Sequence, residues 1–146
     1  MPALGATKLA DANVWLALAF SDHVHHVKAT KWFAQQADSS CGFCRITQMA
    51  LLRHLTNAKI MGDFVQSQAA AWDLYDKLFE DPRVVLLNEP PALEAAFRSL
   101  TQSSSPSHAQ WTDAYLAALA METRSQLVTF DQGFSRFPDL NLDTLS

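Results

Sequence analysis

Short, continuously apolar runs alternate with longer amphipathic ones along this chain, a pattern that predicts strands and helices in turn. Residues 7–10 read as a strand, followed by an apolar helix start at 13–20 and a turn at Ser21-Asp22. Over 26–37, Val27, Trp32 and Phe33 share one face while Lys28, Lys31, Gln35 and Gln36 cover the other, as in a surface helix. Residues 41–44 are apolar and flanked by turn formers, which predicts a second strand. Thr47 is placed to cap a helix running to Asn57, and a longer amphipathic helix is expected over 63–81, broken by Pro82. Val84-Val85-Leu86-Leu87 is the clearest strand, and a helix follows over 92–100. Residues 101–107 form a polar, serine-rich loop. Ser107 and Gln110 then have capping-box spacing, opening the helix that carries Asp113. Residues 126–129 read as a fourth strand, 134–138 as a turn and 140–142 as a fifth strand.

Uniformly apolar strands alternating with helices indicate an α/β fold of three layers, a mainly parallel sheet of four to five strands with helices on both faces. In such sheets ligands bind beyond the carboxyl ends of the strands, where the strand order reverses. Two aspartates lie at such ends: Asp11 after the first strand and Asp131 after Gln126-Leu127-Val128-Thr129-Phe130. Asp113 lies early in the helix feeding the fourth strand. If the first and fourth strands are neighbours, the three carboxylates converge.

Length and composition narrow the class. At 146 residues the chain fits one domain, 1–146, and 49% hydrophobic residues with four glycines and six prolines describe a compact protein. There is no apolar run of about eighteen residues to span a membrane, and the start lacks the pattern of a secretory signal. Two cysteines do not make a disulfide framework, so a cytoplasmic location is expected. The net charge of −4 argues against binding nucleic acid by global attraction, which rests on clustered Lys and Arg. A nucleic-acid function must rest on a local site.

A carboxylate is costly to bury unless it is paired, hydrogen-bonded or bound to a cation. Asp11, Asp113 and Asp131 sit beside apolar segments with no obvious basic partner next to each. A shared Mg²⁺, with Mn²⁺ as substitute, is the expectation, because hard oxygen ligands suit these ions. Asp11 or Asp131 alone is more often a cap or a turn residue than a ligand. Asp113 is different: its helical neighbours Leu116, Ala117 and Ala120 form an apolar stripe, so its charge faces the core or a cleft.

The segments around these aspartates resemble PIN-domain ribonucleases, most of all the VapC-type toxins of bacterial type II toxin–antitoxin pairs. The resemblance rests on Asp11-Ala12-Asn13, on Thr112-Asp113-Ala114-Tyr115-Leu116, and on Leu127-Val128-Thr129-Phe130-Asp131 closing on Phe134-Ser135-Arg136-Phe137-Pro138. Asp22-His23-Val24-His25-His26 and Ile46-Thr47-Gln48 through Arg53 look like a subgroup of the family, and the likeness spans about 8–142. It implies a PIN-like fold and Mg²⁺-dependent endoribonuclease activity, with Asp11, Asp113 and Asp131 catalytic and metal-binding. It implies Thr129 near the metal or the phosphate, Asn13 orienting Asp11 or capping the first helix, and an RNA substrate with Gln48 and Arg53 as candidate contacts. The partners implied are a second copy of the chain, in a homodimer, and a cognate antitoxin whose tail occupies the acidic site, often with an arginine.

One departure stands out. PIN nucleases usually carry a further acid on the helix after the second strand, and residues 47–57 contain neither Asp nor Glu. A weaker metal site, or a carboxylate borrowed from Asp22 or Asp63, is then expected. The missing acid also leaves open a catalytically weak or silent PIN fold that acts by binding a partner. A phosphatase of the haloacid dehalogenase type needs a second Asp two residues after the first, and position 13 is Asn. Cys41 and Cys44 stand alone as a pair, short of the four ligands of a structural zinc.

Overall fold

The computed structural model describes residues 7–103 and 105–146. Its strands are β1 (Lys8–Ala10), β2 (Cys41–Phe43), β3 (Val84–Leu86), β4 (Gln126–Thr129) and β5 (Leu142–Thr144). Its helices are α1 (Ala12–Ala19), α2 (His26–Ala34), α3 (Arg45–Leu55), α4 (Ala58–Met61), α5 (Gln68–Phe79), α6 (Leu93–Thr101) and α7 (Trp111–Glu122). The strands form one sheet in the order β3-β2-β1-β4-β5, and every pairing is parallel. The chain builds outward from β1 to β3 on one side, then returns to place β4 against β1. The order reverses between β1 and β4, and the crevice of an open parallel sheet opens at that point.

Alternation along the strands sends side chains to two cores. Ala10, Phe43, Val84 and Val128 pack with Trp15 of α1, Trp32 of α2, Leu51 and Leu55 of α3, and Tyr75 of α5. Leu9 and Leu127 pack on the opposite face with Leu93 of α6 and Leu116, Leu119 and Ala120 of α7. The fold is therefore the expected three-layer α/β arrangement. Phe43 stacks on Trp15 with ring centroids 4.0 Å apart. Gly42 is required in the sheet: a Cβ there would meet Leu87 Cγ at 2.7 Å and the Lys8 carbonyl oxygen at 3.0 Å.

Several element boundaries differ from expectation, each for a local reason. The helix expected over 63–81 is two pieces, a 3-10 turn at Gly62–Phe64 and α5. Ser67 separates them by accepting a hydrogen bond from the Ala70 amide, and the Gln66 amide donates to the Leu55 carbonyl. The cap of α3 is Cys44 rather than Thr47, whose hydroxyl accepts from the Cys44 amide at 2.9 Å as the other half of a capping box. Ser107 does not cap α7; that helix starts at Trp111, after Gln110, with no side-chain cap. The last strand starts at Leu142, because the Leu140 amide is turned back onto the Phe137 carbonyl at 3.2 Å. Cys41 and Cys44 are buried free thiols on and beside β2.

Candidate active site

Asp11 sits at the carboxyl end of β1, where its amide donates to the Val128 carbonyl of β4 at 2.8 Å. It is also the N-cap of α1, with Oδ1 accepting from the Ala12 amide at 2.8 Å. Its other oxygen, Oδ2, accepts from the Thr129 hydroxyl at 2.8 Å. Burial pushes the Asp11 carboxyl above its ordinary pKa, and the charges of Asp113 and Asp131 push the same way against the two hydrogen bonds. The three aspartates thus share one electrostatic neighbourhood at the switch point. Among the described residues no cation pairs with Asp11.

Thr129 is the hub of this end of the sheet. Fully buried at the end of β4, it donates to Asp11 and accepts from Asn13 Nδ2 at 3.3 Å and from the Asp131 amide at 3.0 Å. A hydroxyl has one proton and two lone pairs, so its capacity is filled. The hydroxyl expected near the metal or the phosphate is thus engaged within the chain, where it positions Asp11 and the start of the Asp131 turn. Asn13, in the first turn of α1, is a second tie to the end of β4, its Oδ1 accepting from the Phe130 amide at 3.3 Å; it does not cap α1, because Asp11 does. Asp131 is exposed and caps a 3-10 turn, Gln132–Arg136, with Oδ1 accepting from the Gly133 amide at 2.8 Å.

Asp113 lies half-buried in the first turn of α7. The expectation that it has no basic partner fails: Arg136 Nη2 donates to its Oδ2 at 3.1 Å. Arg136 Nη1 donates to the Gly133 carbonyl at 2.6 Å, and the guanidinium lies 4.6 Å from the Phe137 ring centroid. Among the described residues no three acidic, histidine or cysteine side chains close to metal-holding distance. The physical reason is visible in these contacts. Arg136 occupies an oxygen of Asp113, while Asp131 turns an oxygen onto its own turn.

The remaining expected contacts lie elsewhere. Gln48 is 6% exposed and its Oε1 accepts from Arg45 Nη1 at 2.6 Å, so it is not presented to a substrate. Arg53 lines a groove on the α3–α5 side with Leu52, Thr56, Gln68, Ala71 and Trp72, a different place from the aspartates. Asp22 and Asp63 are exposed, on the α1–α2 turn and in the Gly62–Phe64 turn, and neither is among the charges that raise Asp11. Sequence reasoning placed Arg136 within the segment closing on Pro138 but gave it no role, though it stands five residues after Asp131 in a compact turn. It also missed that His25 stacks on Phe130 at 4.4 Å, beside the crevice, and that Tyr115 donates to Glu89 at 2.7 Å.

The PIN-domain family model matches residues 8–140, nearly the whole chain. The chain belongs to the PIN-domain family. This PIN domain is 40% identical over 143 residues to Ribonuclease VapC41 of Mycobacterium tuberculosis, covering 94% of the chain and 98% of that relative. It is 36% identical over 129 residues to Ribonuclease VapC29 of the same organism, covering 88% of the chain and 89% of the relative. Among solved structures, VapBC2 from Rickettsia felis superposes with a TM-score of 0.68 at 13% identity, over 96% of this chain and 99% of that one. Mycobacterium tuberculosis VapC20, a sarcin-ricin loop cleaving toxin, superposes with a TM-score of 0.67 at 16% identity, over 92% and 98% of the two chains. These superpositions agree with the three-layer fold of this PIN domain.

The donor set fits a divalent cation in chemistry. Asp11, Asp113 and Asp131 offer hard oxygens, and Asp11 carries a charge that burial and its neighbours make costly. Accepting a cation at Asp113 requires Arg136 to give way.

Proposed function

We propose that this PIN domain is a metal-dependent endoribonuclease, the toxin of a type II toxin–antitoxin pair, with residues 1–146 acting as one nuclease domain. The 40% identity to a VapC ribonuclease over 94% of the chain supports the reaction class. One observation carries the assignment of the site: a carboxylate at the sheet's switch point, Asp11, raised by burial and by two further aspartates, with no cation of its own among the described residues. Such a group favours either a proton or a metal.

In this reading Asp11, Asp113 and Asp131 hold Mg²⁺, with Mn²⁺ as substitute. Bound there, the ion supplies charge neutralisation at the scissile phosphate and lowers the pKa of water. The chain's own residues do the positioning. Thr129 fixes one oxygen of Asp11 and the Ala12 amide the other, so the carboxylate cannot rotate. Asn13 and Thr129 lock the end of β4 to the start of α1, which sets where the Asp131 turn begins.

The expected location is the cytoplasm; no described helix is long and apolar enough to cross a membrane. A homodimer and a small antitoxin with a basic tail are the expected partners, and the solved VapBC complexes of similar fold support the second. A guanidinium in such a tail pairs bidentately with carboxylates and excludes metal. The test is cleavage of single-stranded RNA in Mg²⁺ by wild type, Asp11→Asn and Asp113→Asn, with a chelator as control. Loss of cleavage in both variants and in chelator is expected, and equal activity in all three proteins eliminates the assignment. The second reading, a silent partner-binding PIN fold, is favoured by the Arg136–Asp113 ion pair and by the absence of an acid on α3. It predicts no metal-dependent cleavage by wild type.

A further inference from the structure

Arg136 is a charged group that the proposed reaction does not use, yet it touches the site more intimately than any other cation described. One nitrogen bonds Asp113 on α7 and another bonds Gly133 in the turn that Asp131 caps. The guanidinium therefore straps the helix-borne acid to the turn bearing a second acid. Gly133 gives both groups room: a Cβ there would lie 3.1 Å from Asp131 Oδ1 and 3.3 Å from Arg136 Nη1. Without a cation, three carboxylates in one neighbourhood repel one another, and the strap offsets part of that repulsion.

We propose that Arg136 is an internal counter-ion, exchanged for the divalent metal when the site is loaded. This rests on the reading that the three aspartates hold a metal, and it adds the group the metal must displace. The exchange is a direct competition for Asp113 Oδ2, since a guanidinium and a dication cannot both hold that oxygen in the same way. The side chain can leave: Arg136 is about one-third exposed, its partner Asp113 about the same, and its remaining ties are one backbone carbonyl and the face of the Phe137 ring. The metal-free protein is thereby kept assembled, and its affinity for metal is set lower than the three acids alone would give.

The test uses the full chain and Mn²⁺ alone, titrated calorimetrically against wild type, Arg136→Gln, Arg136→Lys and Asp11→Asn. Removing a one-third-exposed ion pair that competes with the metal should tighten Mn²⁺ binding about two- to fivefold in Arg136→Gln, with Arg136→Lys in between. Linkage requires the reverse effect in the unaltered protein. Modification of Arg136 by phenylglyoxal, followed by mass spectrometry, should accelerate when Mn²⁺ is added to wild type. That second readout needs no variant to fold. If wild type binds Mn²⁺ and Arg136→Gln binds it equally or more weakly, or if Mn²⁺ leaves the modification rate unchanged, the counter-ion role is wrong while the metal site stands. If Asp11→Asn binds Mn²⁺ as tightly as wild type, or no protein binds it, the metal-site reading fails and the exchange falls with it.

Discussion

Thr129→Val is the sharpest probe of how this site is held. Valine keeps the shape of threonine and removes only the hydroxyl, which in the fully buried native residue serves three partners. The bond to Asp11 Oδ2, at 2.8 Å, has an ionised acceptor and is worth about 1.5–3 kcal/mol. The bonds from Asn13 and the Asp131 amide are longer, at 3.3 and 3.0 Å, and contribute about 1 kcal/mol each or less. Together the loss is roughly 3–5 kcal/mol, or a fall in Tm of about 10 °C for a domain of this size. Thr129→Ser keeps the hydroxyl and should cost only ~1 kcal/mol for the lost methyl. Thermal and urea melts of the three proteins, with RNA cleavage measured below every transition, read both effects. Cleavage should fall steeply in the valine variant and survive in the serine one. A valine variant melting within about 2 °C of wild type would refute the hub, because no arrangement with three satisfied partners is compatible with so small a loss.

Asp11→Asn should raise stability at neutral pH. A carboxyl whose pKa is raised on folding favours the fold when protonated, and that contribution is lost as pH rises through the folded value. Asparagine also caps a helix as well as aspartate does. The variant should therefore melt a few degrees above wild type at pH ~7, the gap vanishing below the ordinary Asp pKa of ~4; a constant gap across that range contradicts the assignment. Asp113→Asn removes a half-exposed ion pair and should change stability by no more than ~1 kcal/mol in a denaturant titration, while abolishing cleavage. Gly42→Ala forces a methyl against the Leu87 side chain and the Lys8 carbonyl, and should cost about 1–3 kcal/mol by the same melts.

The layered fold was legible because the central strands are short and mostly apolar, and such runs belong to a sheet covered on both faces. The placement of Asp11 and Asp131 followed from the same runs, since both residues stand where the apolar pattern stops. Arg136 was not legible, because its bond to Asp113 spans 23 positions and depends on how tightly the Gln132–Arg136 turn winds. The family resemblance placed the Thr129 hydroxyl near the metal or the phosphate but carried no information on its bonding; the structure shows that hydroxyl roofed by Asp11, Asn13 and the Asp131 amide. The split of the long helix expected over 63–81 hinges on Ser67, an ordinary polar residue whose capping role appears once α5 has a start.

The double duty of Asp11 bears on how such proteins diversify. Because the same side chain starts α1 and supplies charge to the crevice, a mutation to asparagine discards the charge and keeps the helix start. Aspartate and asparagine codons differ by one base. A lineage carrying this chain is thus a single transition away from an inert relative that still folds, a ready ancestor for decoys that occupy a partner without cutting anything.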